Sequence, residues 1–366
     1  MALPLFNTSA PLAAIDAEIR AKVAAILDAG VYVLGPEVKA FEAEFASYVG
    51  AREAIGVANG TDALVLALRA LGVGPGDEVI VPSFTFYASA EAIPHTGARP
   101  VFCDIDPETM VITPETVRAV MTPRTKAVIA VHLFGNVAPV AEIEALGVPV
   151  IEDAAQSAGT KLSDGRRPGA LGTIATFSFY PSKNLGAFGD GGAITTSDPE
   201  LAETVRTLRF HGSRDKQHFE LVGYNSRLDE LQAGILRVQL PHLDAWSDGR
   251  RAAAQAYADA GLGEFVSLPV PTPGAEPAWH LYVVRSERAD DLLAVFKDAG
   301  IGSRSYYRVP AHLQPAMREW GTGLNLPGTD EAARTNLAVP ISPVLTRADA
   351  EQVVAAAGAL AAVPSA

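Results

Sequence analysis

The run Ser178-Phe179-Tyr180-Pro181-Ser182-Lys183-Asn184 leads into Gly186-Ala187-Phe188-Gly189-Asp190-Gly191-Gly192, setting a single lysine between aromatic and hydroxyl side chains and four glycines. Packing explains such a lysine poorly, because a buried ammonium is costly unless it is paired or neutralised. An amine that forms a Schiff base gives up its permanent charge, and lysines of this kind carry carbonyl and pyridoxal phosphate (PLP) chemistry. Taken alone, the segment also reads as an exposed lysine in a Gly-rich loop.

Three further stretches carry chemistry. Ala58-Asn59-Gly60-Thr61-Asp62 follows a strand and opens an apolar helix, so its N–H groups and the helix dipole form a phosphate seat; the plainer reading is an N-cap by Thr61 or Asp62. Val148 to Ile151 and then Glu152-Asp153-Ala154-Ala155-Gln156 put two carboxylates at the end of a buried strand, the edge where open α/β sheets bind ligands. An aspartate displayed there can keep a pyridine nitrogen protonated and make the ring an electron sink; otherwise the pair caps the following turn or binds a metal, although no histidine stands at ligand spacing nearby. Pro82-Ser83-Phe84-Thr85-Phe86-Tyr87 brings aromatic side chains to the same edge, and Phe86 is the one placed to stack on a cofactor ring.

The elements that position these residues read as α/β. Glu78–Val81, Pro100–Phe102, Ala127–Val131 and Val148–Ile151 are nearly continuous apolar runs that suit strands covered on both faces, and helical patterns at 63–71 and 114–121 lie between them. This alternation implies a mostly parallel sheet. Leu228, Leu231, Ile235 and Leu236 recur at helical spacing, Pro241 interrupts, and a helix resumes over 243–260. We place a domain change there: a large domain over 1–241 and a smaller α+β domain over 242–366. The latter has strands at 281–284 and 337–340, and helices at 289–299 and 346–361. Pro271-Thr272-Pro273-Gly274 reads as a mobile surface loop.

Composition narrows the class. The 366 residues are 48% hydrophobic and 19% charged, as expected of a globular protein, and the net charge of −13 argues against nucleic acid or an anionic membrane as partner. One cysteine, Cys103, excludes an internal disulfide framework, and neither a signal peptide nor a membrane-spanning run is visible, so a cytoplasmic protein is expected.

Asn59–Leu64, Gly76–Phe86, Glu152–Gln156, Ser178–Asn184 and Gly223-Tyr-Asn-Ser-Arg-Leu-Asp-Glu-Leu-Gln-Ala233 occur in register from Gly35-Pro36-Glu37 to Pro340-Ile341-Ser342-Pro343. In these motifs the chain resembles the DegT/DnrJ/EryC1/StrS family of PLP-dependent sugar aminotransferases, which have the fold-type-I (aspartate aminotransferase) architecture. The resemblance implies that Lys183 is the Schiff-base lysine, Asp153 the partner of the pyridine nitrogen and Gln156 an amide near the cofactor ring. Gly60, Thr61 and Ser178 fall on phosphate-binding positions and Phe86 on the stacking aromatic. Asn225 matches an asparagine that reaches the phosphate in the neighbouring subunit, which implies a homodimer with shared active sites. Tyr180, Tyr307 and His312 fall where the substrate approaches, although here Tyr307-Arg308 replaces the family's Tyr-Pro step.

The implied substrates are glutamate and a nucleotide-linked keto-6-deoxyhexose, a dTDP-3-keto or dTDP-4-keto sugar. The carbon aminated and the nucleotide carried are matters of pocket shape. Two rivals stand beside this reading. A PLP-dependent sugar dehydratase would have histidine in place of Lys183, and a regulator would bind PLP or a sugar nucleotide without turnover.

Overall fold

The computed structural model describes residues 2–361; Met1 and the last five positions of the expected second domain lie outside the described residues. Its strands in chain order are β1 (Glu53–Val57), β2 (Glu78–Pro82), β3 (Arg99–Cys103), β4 (Thr125–Val131), β5 (Val150–Asp153), β6 (Lys161–Leu162), β7 (Ile174–Ser178), β8 (Gly192–Thr196), β9 (Ala275–Glu276), β10 (Tyr282–Arg285) and β11 (Asn336–Val339). Seven of them form one sheet in the order β1-β8-β7-β5-β4-β2-β3. All neighbours pair in parallel except at β8, which runs against both β1 and β7. The fold is therefore α/β with a mostly parallel central sheet, as expected.

The apolar runs became strands because both faces of the sheet are covered: every residue of β2 and β5 is buried, and so are all but the first two of β4. The Gly60–Ala70 helix is apolar on every side, with residues 63 to 68 all buried, so it packs inside the layers rather than on the surface. Its cap is Asn59, whose side chain accepts the Asp62 N–H at 2.8 Å; this corrects the expected cap at Thr61 or Asp62. Asn59 leaves β1 fully extended, the backbone form an N-cap requires. The expected helix over 114–121 ends at Arg118, and the strand expected from Val148 begins at Val150.

The lysine segment connects β7 to antiparallel β8. Its base is closed by the Phe179 N–H to Gly191 O (2.8 Å) and the Ala187 N–H to Phe179 O (2.7 Å). Beneath it, Phe41, Phe45, Phe177 and Phe179 pack edge to face with centroids 4.9 to 5.4 Å apart. Each buried ring contributes roughly 1.5–3 kcal/mol relative to exposure. The Pro36–Val49 helix that carries Phe41 and Phe45 is tied down at its start by the buried Glu230 carboxylate. That group accepts the N–H groups of Gly35 (2.8 Å), Glu37 (2.8 Å) and Val38 (3.0 Å).

A separate core surrounds the β10–β11 pair: Leu337 and Val339 of β11 pack with Tyr257, Phe296 and Val353, contributed in turn by the helices Leu243–Asp259, Ala289–Asp298 and Arg347–Ala361. The loop at 271–274 is a surface turn, held by the Thr272 N–H to Asn136 Oδ1 (2.9 Å) and continuing into β9, which pairs with β6. No helix among the described residues is long and apolar enough to cross a membrane.

Candidate active site

Asp153 ends β5 level with Val131 of β4 and Thr176 of β7, at the carboxyl edge of the parallel strands. Its carboxylate accepts the Ser89 hydroxyl at 2.7 Å and the Ala155 N–H at 3.2 Å. Glu152, one residue earlier, faces the other side of the sheet, as strand alternation demands. It is fully buried and accepts four N–H donors: His132 Nε2 (2.8 Å), Gly169 (3.0 Å), Leu171 (2.8 Å) and Gly172 (2.8 Å). The two carboxylates expected to share the crevice therefore divide. Asp153 alone faces the site, and Glu152 fastens the loop before β7.

Lys183 lies half-buried in the segment after β7. Burial is the largest influence on its amine and pulls it down to about 8, while the negative charge of Asp153 acts in the opposite sense. An amine so placed exchanges a proton near neutral pH, as a Schiff-base and proton-transfer lysine must.

Gly60 opens its helix against Ser178: a Cβ there would stand 2.7 Å from the Ser178 Cβ, so only glycine fits. The N–H groups of Gly60 and Thr61, in the first helical turn, have no intrahelical partner. On the other side, a Cβ on Gly192 would meet the Asn59 carbonyl at 2.5 Å, so β8 presses β1 and its loop towards the seat. A small pocket of backbone donors with no side chain inside it is a cradle for phosphate.

Gln156 is fixed at both ends. Its Oε1 accepts the Phe134 N–H at 2.7 Å and its Nε2 donates to the Tyr307 hydroxyl at 3.0 Å. Tyr307 stacks on Phe134 with centroids 5.9 Å apart and lies 6.4 Å from Phe86, which is itself 58% exposed and so has a free face. Tyr307 (φ 56°) and Phe134 (φ 58°) both hold the left-handed region, a strained backbone of the kind that clusters at functional sites. Arg308, which stands where proline was expected, turns away to pair with Asp290 at 2.5 Å.

The remaining expected residues stand apart from this cluster. His312 is buried, with Nδ1 2.5 Å from the Ser83 hydroxyl, and it docks the 311–313 turn onto the end of β2. Burial holds its imidazole below the usual histidine range. Tyr180 is 56% exposed. Asn225 is exposed, bridged by backbone to Phe210, with its side-chain oxygen bonded by Arg227. No contact brings Asn225 to Lys183 within one chain. Residues that sequence reasoning missed include Ser89, Arg250 and His280; each reaches the site from a distant segment and carries no local motif. No group of histidine, cysteine and carboxylate side chains among the described residues could hold a metal ion.

Comparison with known proteins gives concordant matches. The chain is 47% identical over 359 residues to a dTDP-3-amino-3,4,6-trideoxy-alpha-D-glucose transaminase of Streptomyces venezuelae, covering 96% of this chain and 94% of that one. Among solved structures, S. venezuelae DesV in complex with a ketimine intermediate superposes with a TM-score of 0.96 at 45% identity, over all of both chains. Bacillus subtilis NtdA, solved with the bound cofactor PMP, matches with a TM-score of 0.89 at 29% identity, over 98% of this chain and 85% of that one. The sequence pattern of the DegT/DnrJ/EryC1/StrS aminotransferase family extends over residues 13–357, and the chain belongs to that family of PLP-dependent aminotransferases.

Proposed function

We propose that the protein moves an amino group from glutamate to a nucleotide-linked keto-6-deoxyhexose, a dTDP-3-keto or dTDP-4-keto sugar. One observation carries the reading: a desolvated lysine held at about 8 with the buried Asp153 as the charge acting on it, at the ligand-binding edge of the sheet. The substrate class follows from the name borne by the S. venezuelae relative.

The residues present fit PLP. Its phosphate would take the first-turn N–H groups of Gly60 and Thr61 and the hydroxyl of Ser178, and its ring would lie on Phe86 with Gln156 close by. Its nitrogen would face Asp153, and Lys183 would be its anchor. When bound, it supplies a carbon that accepts the amine and a ring that absorbs negative charge.

The chain's own groups do the rest. Lys183, uncharged once its proton is lost near pH 8, takes the proton from the donor Cα and returns it on the other side of the reaction. Asp153, with its carboxylate already oriented by Ser89 and Ala155, keeps a proton on the ring nitrogen. The Tyr307 hydroxyl accepts from Gln156 and so retains its own proton to offer a substrate oxygen. The exposed Tyr180 belongs to the sugar end, and the buried His312 supports that end from behind by docking the 311–313 turn onto Ser83.

The same reading includes a homodimer in which Asn225 completes the partner's phosphate site. It is supported by the arm beside Asn225, where Phe219 is 63% and Val222 97% exposed, apolar side chains that suit a covered surface. It also includes the division into a cofactor domain of 1–241 and a smaller domain of 242–366, and a cytoplasmic setting, for which the buried free Cys103 is suited.

The test is spectroscopic. Purified protein should show the absorbance of bound PLP, and glutamate should convert it to the pyridoxamine form. Lys183→Ala should keep its circular dichroism and lose the conversion. A wild-type protein that binds no PLP, or a variant with more than trace turnover, refutes the reading.

A further inference from the structure

A cavity of about 270 Å³ opens beside Lys183, and its lining includes Asn7, Lys183, Asn184, Gln239, Trp246 and Arg250. Arg250, on the Leu243–Asp259 helix, uses Nη1 to hold two carbonyl oxygens, Trp279 at 3.0 Å and Ile341 at 3.4 Å. Its Nε and Nη2 have no partner among the described residues. Neither does the charge: the next residue, Arg251, pairs with Asp248, but no carboxylate meets Arg250. Burial alone pushes the guanidinium down to about 10, so it is a cation at neutral pH in a desolvated place. Arg250 is half-buried, a cation without a counter-ion in a partly desolvated place is costly, and the free Nε–Nη2 edge of its planar fork matches a carboxylate.

A second observation points the same way. His280 is 5% exposed, its Nδ1 is buried without any partner, and both Lys183 and Arg250 add to the burial that keeps it uncharged. Asn184 spends its Nδ2 on the carbonyls of Ala158 and Ala278, which leaves its Oδ1 buried and unpaired. The cavity is thus lined by an amine, an unneutralised guanidinium and the Asn184 amide, and His280, outside the lining, feels the charges of both Lys183 and Arg250. None of these unmet demands is satisfied within the chain.

We propose that Arg250 binds the α-carboxylate of the amino donor and thereby orients the donor at Lys183. The proposal rests on the transaminase reading above. An amino-acid donor carries its carboxylate on the same carbon that loses a proton, so the site for that anion must share a cavity with the proton-accepting amine. The volume agrees: drug-sized ligands occupy roughly 300–1,000 Å³, and this smaller space suits an amino acid rather than a whole nucleotide sugar. Another anion, the diphosphate of the sugar nucleotide, shares the same chemistry and is separated by the experiment.

The test uses the PLP-loaded enzyme. 2-Oxoglutarate has no amine to give, so with the pyridoxal form it reports binding alone, measured by calorimetry. Arg250→Met should weaken it roughly ten- to hundredfold, the loss of a charge-assisted hydrogen bond, and Arg250→Lys should weaken it less. In single-turnover experiments the glutamate concentration needed for half-maximal conversion should rise in step, while the half-reaction with the dTDP-ketosugar keeps its wild-type concentration dependence. Because Arg250 also ties down Trp279 and Ile341, a parallel arm uses wild-type protein: levulinate, which lacks the α-carboxylate, should bind at least about tenfold more weakly than 2-oxoglutarate. Equal binding of those two acids, or an unchanged 2-oxoglutarate affinity in a folded Arg250→Met, overturns the proposal. So does a defect confined to the ketosugar half-reaction, which assigns the guanidinium to the diphosphate. A wild-type protein that accepts an amine from no amino acid removes the transaminase reading itself, and this assignment with it.

Discussion

Replacing Glu152 by glutamine isolates the buried carboxylate behind the site without touching any group proposed to meet substrate. Oε1 accepts from Leu171 and Gly172, both at 2.8 Å, and Oε2 accepts from His132 at 2.8 Å and Gly169 at 3.0 Å. The His132 Nε2 is a donor because its Nδ1 already accepts the Ala138 N–H at 3.0 Å. An amide has one oxygen, so whichever way it turns, its NH₂ faces two donors that have no alternative partner. Each buried donor left unsatisfied costs about 1–3 kcal/mol, which gives about 2–6 kcal/mol for the pair. That is a large share of the roughly 5–15 kcal/mol by which folded proteins are stable. Urea unfolding of the cofactor-free variant, followed by tryptophan fluorescence and circular dichroism, should therefore show a markedly lower midpoint with the same slope. A second consequence concerns position: Glu152 holds the 169–172 loop ahead of β7, and Asp153 follows it directly, so PLP affinity should fall as well. A Glu152→Gln protein within about 1 kcal/mol of wild type would refute the view that these four donors depend on the carboxylate.

Three further outcomes are expected. In the cofactor-free protein, Lys183→Met should raise stability at pH 7. The lysine's folded value is depressed from 10.5 to about 8, so its penalty is full below 8, shrinks as the pH rises and is gone above 10.5; a gap from wild type that fails to narrow over that interval in urea titrations counts against a desolvated Lys183. Gly60→Ala places a Cβ 2.7 Å from that of Ser178 and should weaken PLP binding by at least about tenfold while costing the fold about 1–3 kcal/mol, read by fluorescence titration and urea unfolding; wild-type affinity would mean that the seat is not formed there. Mixed and refolded Lys183→Ala and Asn225→Ala chains should regain activity through heterodimers with one intact site, and no gain despite subunit exchange shown by mass argues against a shared site.

The parts of the fold that were legible in the sequence are those whose cause is local. β2 and β4 read as strands because sheet residues covered on both faces must be apolar along their length, and β10 and β11 stand within a residue of their expected places for similar reasons. The cap was less legible. Asn59, Thr61 and Asp62 all suit an N-cap by type, and the extended backbone leaving β1 makes the choice. Glu152 and Asp153 were separable in principle by strand alternation, but the donors that claim Glu152 come from His132 and from residues 169–172, which no local pattern connects to it. Arg250 and His280 were invisible for the same reason. An arginine on a surface-patterned helix looks solvated until the fold removes its water and offers no carboxylate in return.

The pairing of β1 with β8, in which Val57 lies opposite Gly192, has a consequence for synthesis on the ribosome. The helix end at Gly60 can meet Ser178 only after β8 has emerged and inserted between β1 and β7, so the early-made half of the phosphate seat waits for strands made much later. Such distant pairings are slow to form. A nascent chain released before Gly192 would hold β2 to β5 and yet have no place for the cofactor, which makes loading a late event in the birth of the enzyme and a natural checkpoint for its completeness.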